Sequence, residues 1–344
     1  MLPDKIWDTF TLFRRITPSR CLNIFVVWSS YWLSRLFNKP FMAGMPISIS
    51  VEPTTSCNLR CPECPSGLRS FSRPTGMLQL KHLQLWISQI SSHALYLNFY
   101  FQGEPFLNPD FLRMVKFATE KRFYVNTSTN AHYLSNEMAE QIVNSGLHRM
   151  IISIDGVTQD VYEQYRIGGS LHRVLQGTKN VVQAKRIKKS RTPYLIFQFL
   201  VVKPNEHQVD EARKLAKEYG VDEIRFKTAQ IYGNPEASGL LPENTRYARY
   251  IKNKEGQYVI KNQQLNHCWR MWHSCVITWD GTVVPCCFDK DATHAMGNLQ
   301  QHTLHQIWFG KLYRHFRSRL LLSRKNIDIC ANCTEGTKVW TSPD

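Results

Sequence analysis

An α/β fold made of six consecutive βα-type units, followed by a small cysteine-rich unit, is predicted for this 344-residue chain. Three observations predict it. Strand-like and helix-like stretches alternate from residue 47 to about residue 231. Three cysteines follow directly on the first strand-like stretch. A second group of cysteines comes after residues 233–266, where the periodicity is lost.

The strand candidates are residues 47–54, 95–101, 123–129, 150–155, 194–202 and 223–231, all rich in the β-branched and aromatic residues that strands favour. Between them, Leu80, Leu83, Ile87 and Ile90 recur at three- and four-residue steps and predict a helix within 77–91. Asn108-Pro109 reads as a capping residue with proline at the first helical position. A third helix is expected from Ser135 to Gly146, a fourth over 170–189 and a fifth from Asn205 to Gly220. Repeated βα units imply parallel strands joined by right-handed crossovers. Six strands fall short of the eight of a closed barrel.

The domain reading is a helical extension over 1–46, a core over 47–232, a linker over 233–266 with one short hairpin at Glu255-Gly256, and a cysteine-rich unit over 267–344. Composition is that of a globular protein, with 43% hydrophobic and 20% charged residues, which excludes a disordered chain. The net charge of +16 suits an anionic partner or a solvated basic surface. Ten cysteines without a signal peptide point to a reducing, cytoplasmic setting and to metal binding. Residues 21–37 are apolar and aromatic but interrupted by Asn23, Ser29, Ser30, Ser34 and Arg35. That run is shorter than a spanning helix needs, so an amphipathic helix packed on the core is expected, with peripheral contact at a membrane surface as the other reading.

The central motif is VEPTTSCNLRCPECP, residues 51–65, which spaces Cys57, Cys61 and Cys64 as C-x3-C-x2-C. Three thiolates so close can gather round one soft metal centre, either a zinc knuckle or a [4Fe–4S] cube left with one open iron. The spacing resembles the signature of the radical S-adenosylmethionine (radical SAM) superfamily. That resemblance implies a partial (β/α)6 TIM-type barrel with the cluster loop after its first strand. It further implies that SAM binds the open iron and is split to give a 5′-deoxyadenosyl radical.

Ligands of parallel α/β folds bind at the carboxyl ends of strands. Gln102-Gly103-Glu104-Pro105 resembles the superfamily's Gly-Gly-Glu-Pro motif, with Gln102 in place of its first glycine. By that resemblance Gly103 and Glu104 receive the amino group of SAM, Asn130 and Ser153 contact its ribose and carboxylate, and Arg166 pairs with its carboxylate. Asp155 reads as a brace for its loop. The family usually has an aromatic residue before the third cluster cysteine; here it is Glu63, and Tyr100 and Phe101 are the aromatic candidates beside the adenine.

Further on, Asp280-Gly281 between VITW and TVVP is a hairpin signal. The hairpin would carry Cys268 towards Cys286, and the pair Cys330/Cys333 would complete four thiolates. Zinc is the default metal for such a set. The arrangement C-x12-G-x4-C with a distant C-x2-C resembles the SPASM extension of radical SAM enzymes, which implies an auxiliary [4Fe–4S] cluster. The chain ends without the further cysteines of that pattern, so one auxiliary cluster is expected. Cys287 is an alternative ligand to Cys286, while Cys275 and Cys21 read as core cysteines.

The resemblance therefore implies an oxidoreductase or maturase type of radical SAM enzyme that abstracts hydrogen from its substrate. Peptide or protein side chains are the first substrate class, and a small-molecule or sugar- or lipid-linked metabolite, suited to an anionic group, is the second. The short N-terminal extension counts against leader-guided recognition. Ferredoxin or flavodoxin is the expected electron donor, and nucleic acid is not an expected partner. The reading from another class is a non-catalytic zinc or iron–sulfur scaffold that binds RNA.

Overall fold

In a computed structural model, residues 4–335 and 340–341 are described. Helices α1 (Asp4–Phe13) and α2 (Pro18–Phe37) precede β1 (Ser48–Val51). A one-turn helix α3 (Pro65–Leu68) and α4 (Leu80–Ser88) lead to β2 (Tyr96–Phe99). The core continues as α5 (Phe111–Glu120), β3 (Tyr124–Thr129), α6 (Asn136–Asn144), β4 (Arg149–Ser153), α7 (Gln159–Tyr165), α8 (Leu171–Ile187), β5 (Tyr194–Val201), α9 (Val209–Glu218) and β6 (Glu223–Thr228). Strands β1 to β6 pair in chain order and all are parallel, as repeated crossovers require.

Two helix expectations need correction. Asn108 caps no α-helix: its side-chain amide donates to the carbonyls of Pro53 (2.8 Å) and Leu78 (2.9 Å), and α5 starts three residues later, after Asp110. A buried asparagine with two backbone acceptors to satisfy is better used tying two loops together than ending a helix. The fifth helix begins at Val209, because residues 203–208 form a tighter 3₁₀ turn around Pro204. Helix α7 lies between the fourth strand and the 170–189 helix, where no periodicity predicts it.

The remaining strands are the hairpin β7 (Tyr250–Lys252) and β8 (Tyr258–Ile260), then β9 (Ser274–Ile277), reached through the short helix α10 (Arg270–His273). Strand β9 turns at Asp280-Gly281 into β10 (Thr282–Val284), followed by β11 (Gly297–Asn298). Strand β9 lies parallel beside β1, so the cysteine-rich segment extends the barrel sheet. Helices α11 (Leu304–Trp308), α12 (Lys311–Leu322) and α13 (Asp328–Ala331) pack over it, and β12 (Trp340–Thr341) closes the other edge against β6. Trp272, Trp308 and Tyr313, nearly or wholly buried, join the two parts in one apolar core with Ile49 and Leu97.

Helix α1 closes the amino-terminal end of the barrel. Asp8, only 5% exposed, accepts hydrogen bonds from the Tyr124 hydroxyl and the Arg149 guanidinium inside it. The open end is the carboxyl end of the strands, where the polar motifs lie.

Candidate active site

The walls of one cavity of about 590 Å³ carry nearly every residue singled out from the core sequence. Alternate residues of the strands point into it, among them Tyr96 and Asn98 on the second strand, with Tyr100 just past its end, and Arg225 and Lys227 on the sixth. Cys57, Cys61 and Cys64 stand on one wall, packed against Leu59 and Tyr165. Among the described residues no three His, Cys, Asp or Glu side chains stand close enough to share a single ion. What the three thiols share is their surroundings: each lies within the electrostatic reach of another.

Burial pushes the Cys57 thiol up to about 11, and Glu104 and the neighbouring thiols add to the rise. Burial also raises Cys61, against the pull of Arg166. A buried thiolate needs positive charge beside it, which a metal centre supplies and an apolar wall does not. The donor set also fits: Asn130 Nδ2 reaches Cys57 Sγ at 3.8 Å, the Leu59 amide at 3.5 Å, and Arg166 Nη1 reaches Cys61 Sγ at 3.7 Å. Such N–H groups stabilise sulfur that carries negative charge.

Glu104 is fixed with unusual completeness. Its Oε2 accepts from the Asn130 amide (2.7 Å), and its Oε1 accepts from the Thr129 hydroxyl (2.7 Å) and the Phe106 amide (3.2 Å). Burial raises its carboxyl to about 7, partly offset by these three donors. Gly103 before it has φ +73°, and a Cβ there would drive into the Thr54 carbonyl, so only glycine lets this turn lie against the cluster loop. The Glu104 amide then donates to the Ser56 carbonyl at 2.8 Å.

Ser153 is buried at the end of β4 and lines the cavity. Arg166 follows α7 and is held by Asp155, whose other oxygen accepts from the Leu200 amide at 2.7 Å. The expected brace role of Asp155 thus coincides with the placement of Arg166. Glu63 lines the cavity with Tyr100 and Phe101, its carboxylate accepting from the Tyr232 amide at 2.9 Å.

The second set, Cys268, Cys286, Cys330 and Cys333, is buried throughout. Burial raises Cys268 and Cys330 to about 12, with Cys333 a contributor to both. Cys333 Sγ accepts from Arg324 Nη2 (3.2 Å) and from the Glu335 amide (3.3 Å). Cys286 faces Cys268 and Cys333, whereas its neighbour Cys287 lines the central cavity. Cys275 is a buried strand residue as expected, whereas Cys21, expected in the core, is exposed because Arg20 and Asn23 take the inward face of α2. The first set thus lines the central cavity, while none of the second set does.

Sequence reading missed the cations of that space. Lys227, Arg249, Arg270 and Lys290 line it, drawn from the sixth strand, the linker and the cysteine-rich segment. Arg249, 6% exposed, donates to the Thr228 carbonyl at 3.1 Å, while its Nη1 has no partner. Arg270 pairs with Glu335 at 2.9 Å. The Lys290 ammonium lies 4.2 Å from the centre of the Tyr232 ring, and burial lowers it to about 8. Only the alternation Arg225, Lys227 within a strand carried a signal, since two charges facing one way argue for a polar barrel interior.

Comparison with known proteins agrees with this layout. The family described as "Radical SAM superfamily" matches residues 51–216, and the family described as "Iron-sulfur cluster-binding domain" (SPASM) matches residues 268–334. An AdoMet-dependent heme synthase of Methanosarcina barkeri is 28% identical over 52% of this chain and 49% of its own length. The PqqA peptide cyclase of Gluconobacter oxydans is 27% identical over 86% of this chain and 84% of its own. The chain thus spans about half the length of the first relative and most of the second. Among solved structures, Streptococcus suis SuiB bound to S-adenosylmethionine superposes with a TM-score of 0.61 at 13% identity, covering 84% of this chain and 71% of SuiB.

Proposed function

Because the chain belongs to the radical SAM superfamily and carries a SPASM iron–sulfur domain, we propose that it modifies a peptide side chain by hydrogen abstraction, assisted by one auxiliary [4Fe–4S] cluster. Cys57, Cys61 and Cys64 hold the SAM-binding cluster in this reading, and Cys268, Cys286, Cys330 and Cys333 hold the auxiliary one. Together the first cluster and SAM supply one-electron cleavage of a sulfonium and a carbon radical that takes hydrogen from substrate.

The chain's own residues bind and orient. Glu104 accepts the ammonium of SAM, with both oxygens already fixed by Asn130, Thr129 and Phe106. Arg166 meets the SAM carboxylate, and its attachment to Asp155 keeps its charge aimed along the cluster wall. Ser153 and Asn130 border the same space. Lys227, Arg249 and Arg270 receive an anionic group of the substrate, with Lys290 standing between them and Cys64. The placement of three thiols, Glu104 and Arg166 on the wall of one cavity carries the reading. Support for a peptide substrate comes from the PqqA peptide cyclase, matched along most of both chains. A ferredoxin or flavodoxin is the proposed electron donor.

A second reading, with the same chemistry on a small molecule or a sugar- or lipid-linked metabolite, is favoured by the cavity itself. Away from the residues given to the cluster and SAM, its wall carries Lys227, Arg249 and Arg270, which suit the anionic group of such a metabolite. Anaerobic purification with iron and sulfide analysis, followed by an assay for 5′-deoxyadenosine after reduction with SAM, tests the common core of both. Formation of 5′-deoxyadenosine supports it; a colourless zinc protein that leaves SAM intact overturns it.

A further inference from the structure

Helix α2 is built inside out. A helix on a globular protein buries its apolar face and shows its polar one. Here the buried positions include Arg20, Asn23, Ser30 and Ser34, while Phe25, Trp28, Trp32, Leu33 and Leu36 face outward. Trp28 is 51% exposed and Leu36 75%. Their spacing of three and four residues makes one continuous stripe along a helix of about 30 Å.

The inward polar groups lock this orientation. Asn23 exchanges two hydrogen bonds with the backbone of Met45, donating at 2.9 Å and accepting at 2.8 Å. Ser30 accepts from the Ala43 amide at 3.1 Å, and Ser34 from the Phe41 amide at 2.9 Å. Arg20 donates to the carbonyls of Ser91 and Arg122, each at 2.7 Å, on the turns that enter the second and third strands. Rotating the apolar stripe inward would break all of these bonds and expose Val27 and Tyr31, which the same inward face buries. Helix α1, held at the barrel base by Asp8, adds exposed Phe10 and Phe13.

Charge selects the occupant. Between Asp8 and Glu52 the sequence has no acidic residue, and Arg14, Arg35 and Lys39 are exposed there. Arg14 and Arg35 are exposed, and their guanidinium groups lie over Phe10 and Trp32 at 5.7 and 4.6 Å. A stripe of Trp, Phe and Leu bordered by cations is the surface of a helix that lies in the headgroup layer of an anionic membrane. Among the described residues no helix is long and apolar enough to cross a membrane.

We propose that α1 and α2 form a membrane-docking face that seats this enzyme on an anionic lipid surface. Both helices cover the amino-terminal end of the barrel, so docking leaves the opposite, cluster-bearing mouth open to water and to a partner or substrate arriving there. The proposal does not depend on the catalytic reading, because docking is measured without turnover.

The reconstituted full-length protein is sedimented with vesicles of phosphatidylglycerol and phosphatidylcholine, and with phosphatidylcholine alone. Wild type is expected to pellet with the anionic vesicles and to release as salt rises. Trp28→Ser with Trp32→Ser lowers partitioning about tenfold or more, while cluster absorbance and circular dichroism stay unchanged. Phe25→Ser with Leu36→Ser serves as the second variant should the first misfold. Wild type that stays in solution with anionic vesicles overturns the proposal, as do serine variants that pellet like wild type. A dimer that the serine variants split, without vesicle binding, overturns it in favour of an interface between two copies.

Discussion

Arg166 and Asp155 meet in a buried ion pair at 2.5 Å, and the same guanidinium reaches Cys61 Sγ at 3.7 Å. One side chain thus joins the loop after the fourth strand to the cluster wall. Asp155 is fully buried, so removing its partner leaves a charge with no compensation there. Arg166→Gln is expected to destabilise the fold by about 3–5 kcal/mol and to weaken SAM binding. Thermal unfolding and SAM titration measure the two effects. Adding Asp155→Asn should restore most of the stability and little of the SAM affinity, because the amide removes the orphaned charge without replacing the guanidinium.

Glu104 gives a pH dependence whose sign follows from its surroundings. Its carboxyl sits at about 7 in the fold, against an ordinary value of 4.5. The fold therefore favours the protonated form between these values. The stability this contributes is complete below 4.5 and is lost as pH rises through about 7. An ammonium ligand wants the carboxylate, so SAM affinity should climb as pH rises through the same window. In Glu104→Gln the climb disappears and binding weakens by about 1.5–3 kcal/mol. Equilibrium titration with SAM across that window reads both.

At Gly103 the backbone has φ +73°, and an added Cβ would collide with the Thr54 carbonyl and come to 2.8 Å from that of Ser56. Gly103→Ala must push the cluster loop off the second strand's end. The variant should lose about 1–3 kcal/mol of stability and most of its SAM-site iron, measured by unfolding and by iron analysis.

Cys286 is buried and Cys287 lines the central cavity, and both lie within electrostatic reach of Cys333. Cys286→Ser should cost about four irons per chain, since it removes a proposed auxiliary ligand. Cys287→Ser should keep them, because its thiol lines the central cavity. Iron and sulfide counts on the two purified variants separate these outcomes.

The cationic wall predicts anion binding apart from SAM. With SAM present to fill the cluster side, inorganic pyrophosphate or an oligoglutamate peptide should bind the wild type. Arg249→Gln and Lys290→Met should each weaken that binding by about 1.5–3 kcal/mol, with unchanged cluster spectra. Calorimetry measures it, and the preferred anion tells a phosphoryl-bearing substrate from an acidic peptide.

The order of strands, the cluster loop after the first of them, the hairpin at Asp280-Gly281 and the two cysteine sets were all legible in sequence. Each rests on local rules: side-chain period, turn chemistry and the spacing of ligands along a short loop. Cys57, Cys61 and Cys64 needed no folded context to be found together, because eight residues of chain already contain them. The cationic wall was hidden, since Lys227, Arg249, Arg270 and Lys290 come from segments far apart in sequence that meet only inside the barrel. So was the placement of Cys287, whose thiol lines the cavity beside the buried Cys286. The direction of α2 was the last to emerge. Its sequence shows a polar and an apolar side, but only the bonds of Asn23, Ser30 and Ser34 to the segment before the first strand fix which one faces water. Periodicity sets how side chains are shared between the faces of a helix; the partners that tertiary packing brings to each face choose which is buried.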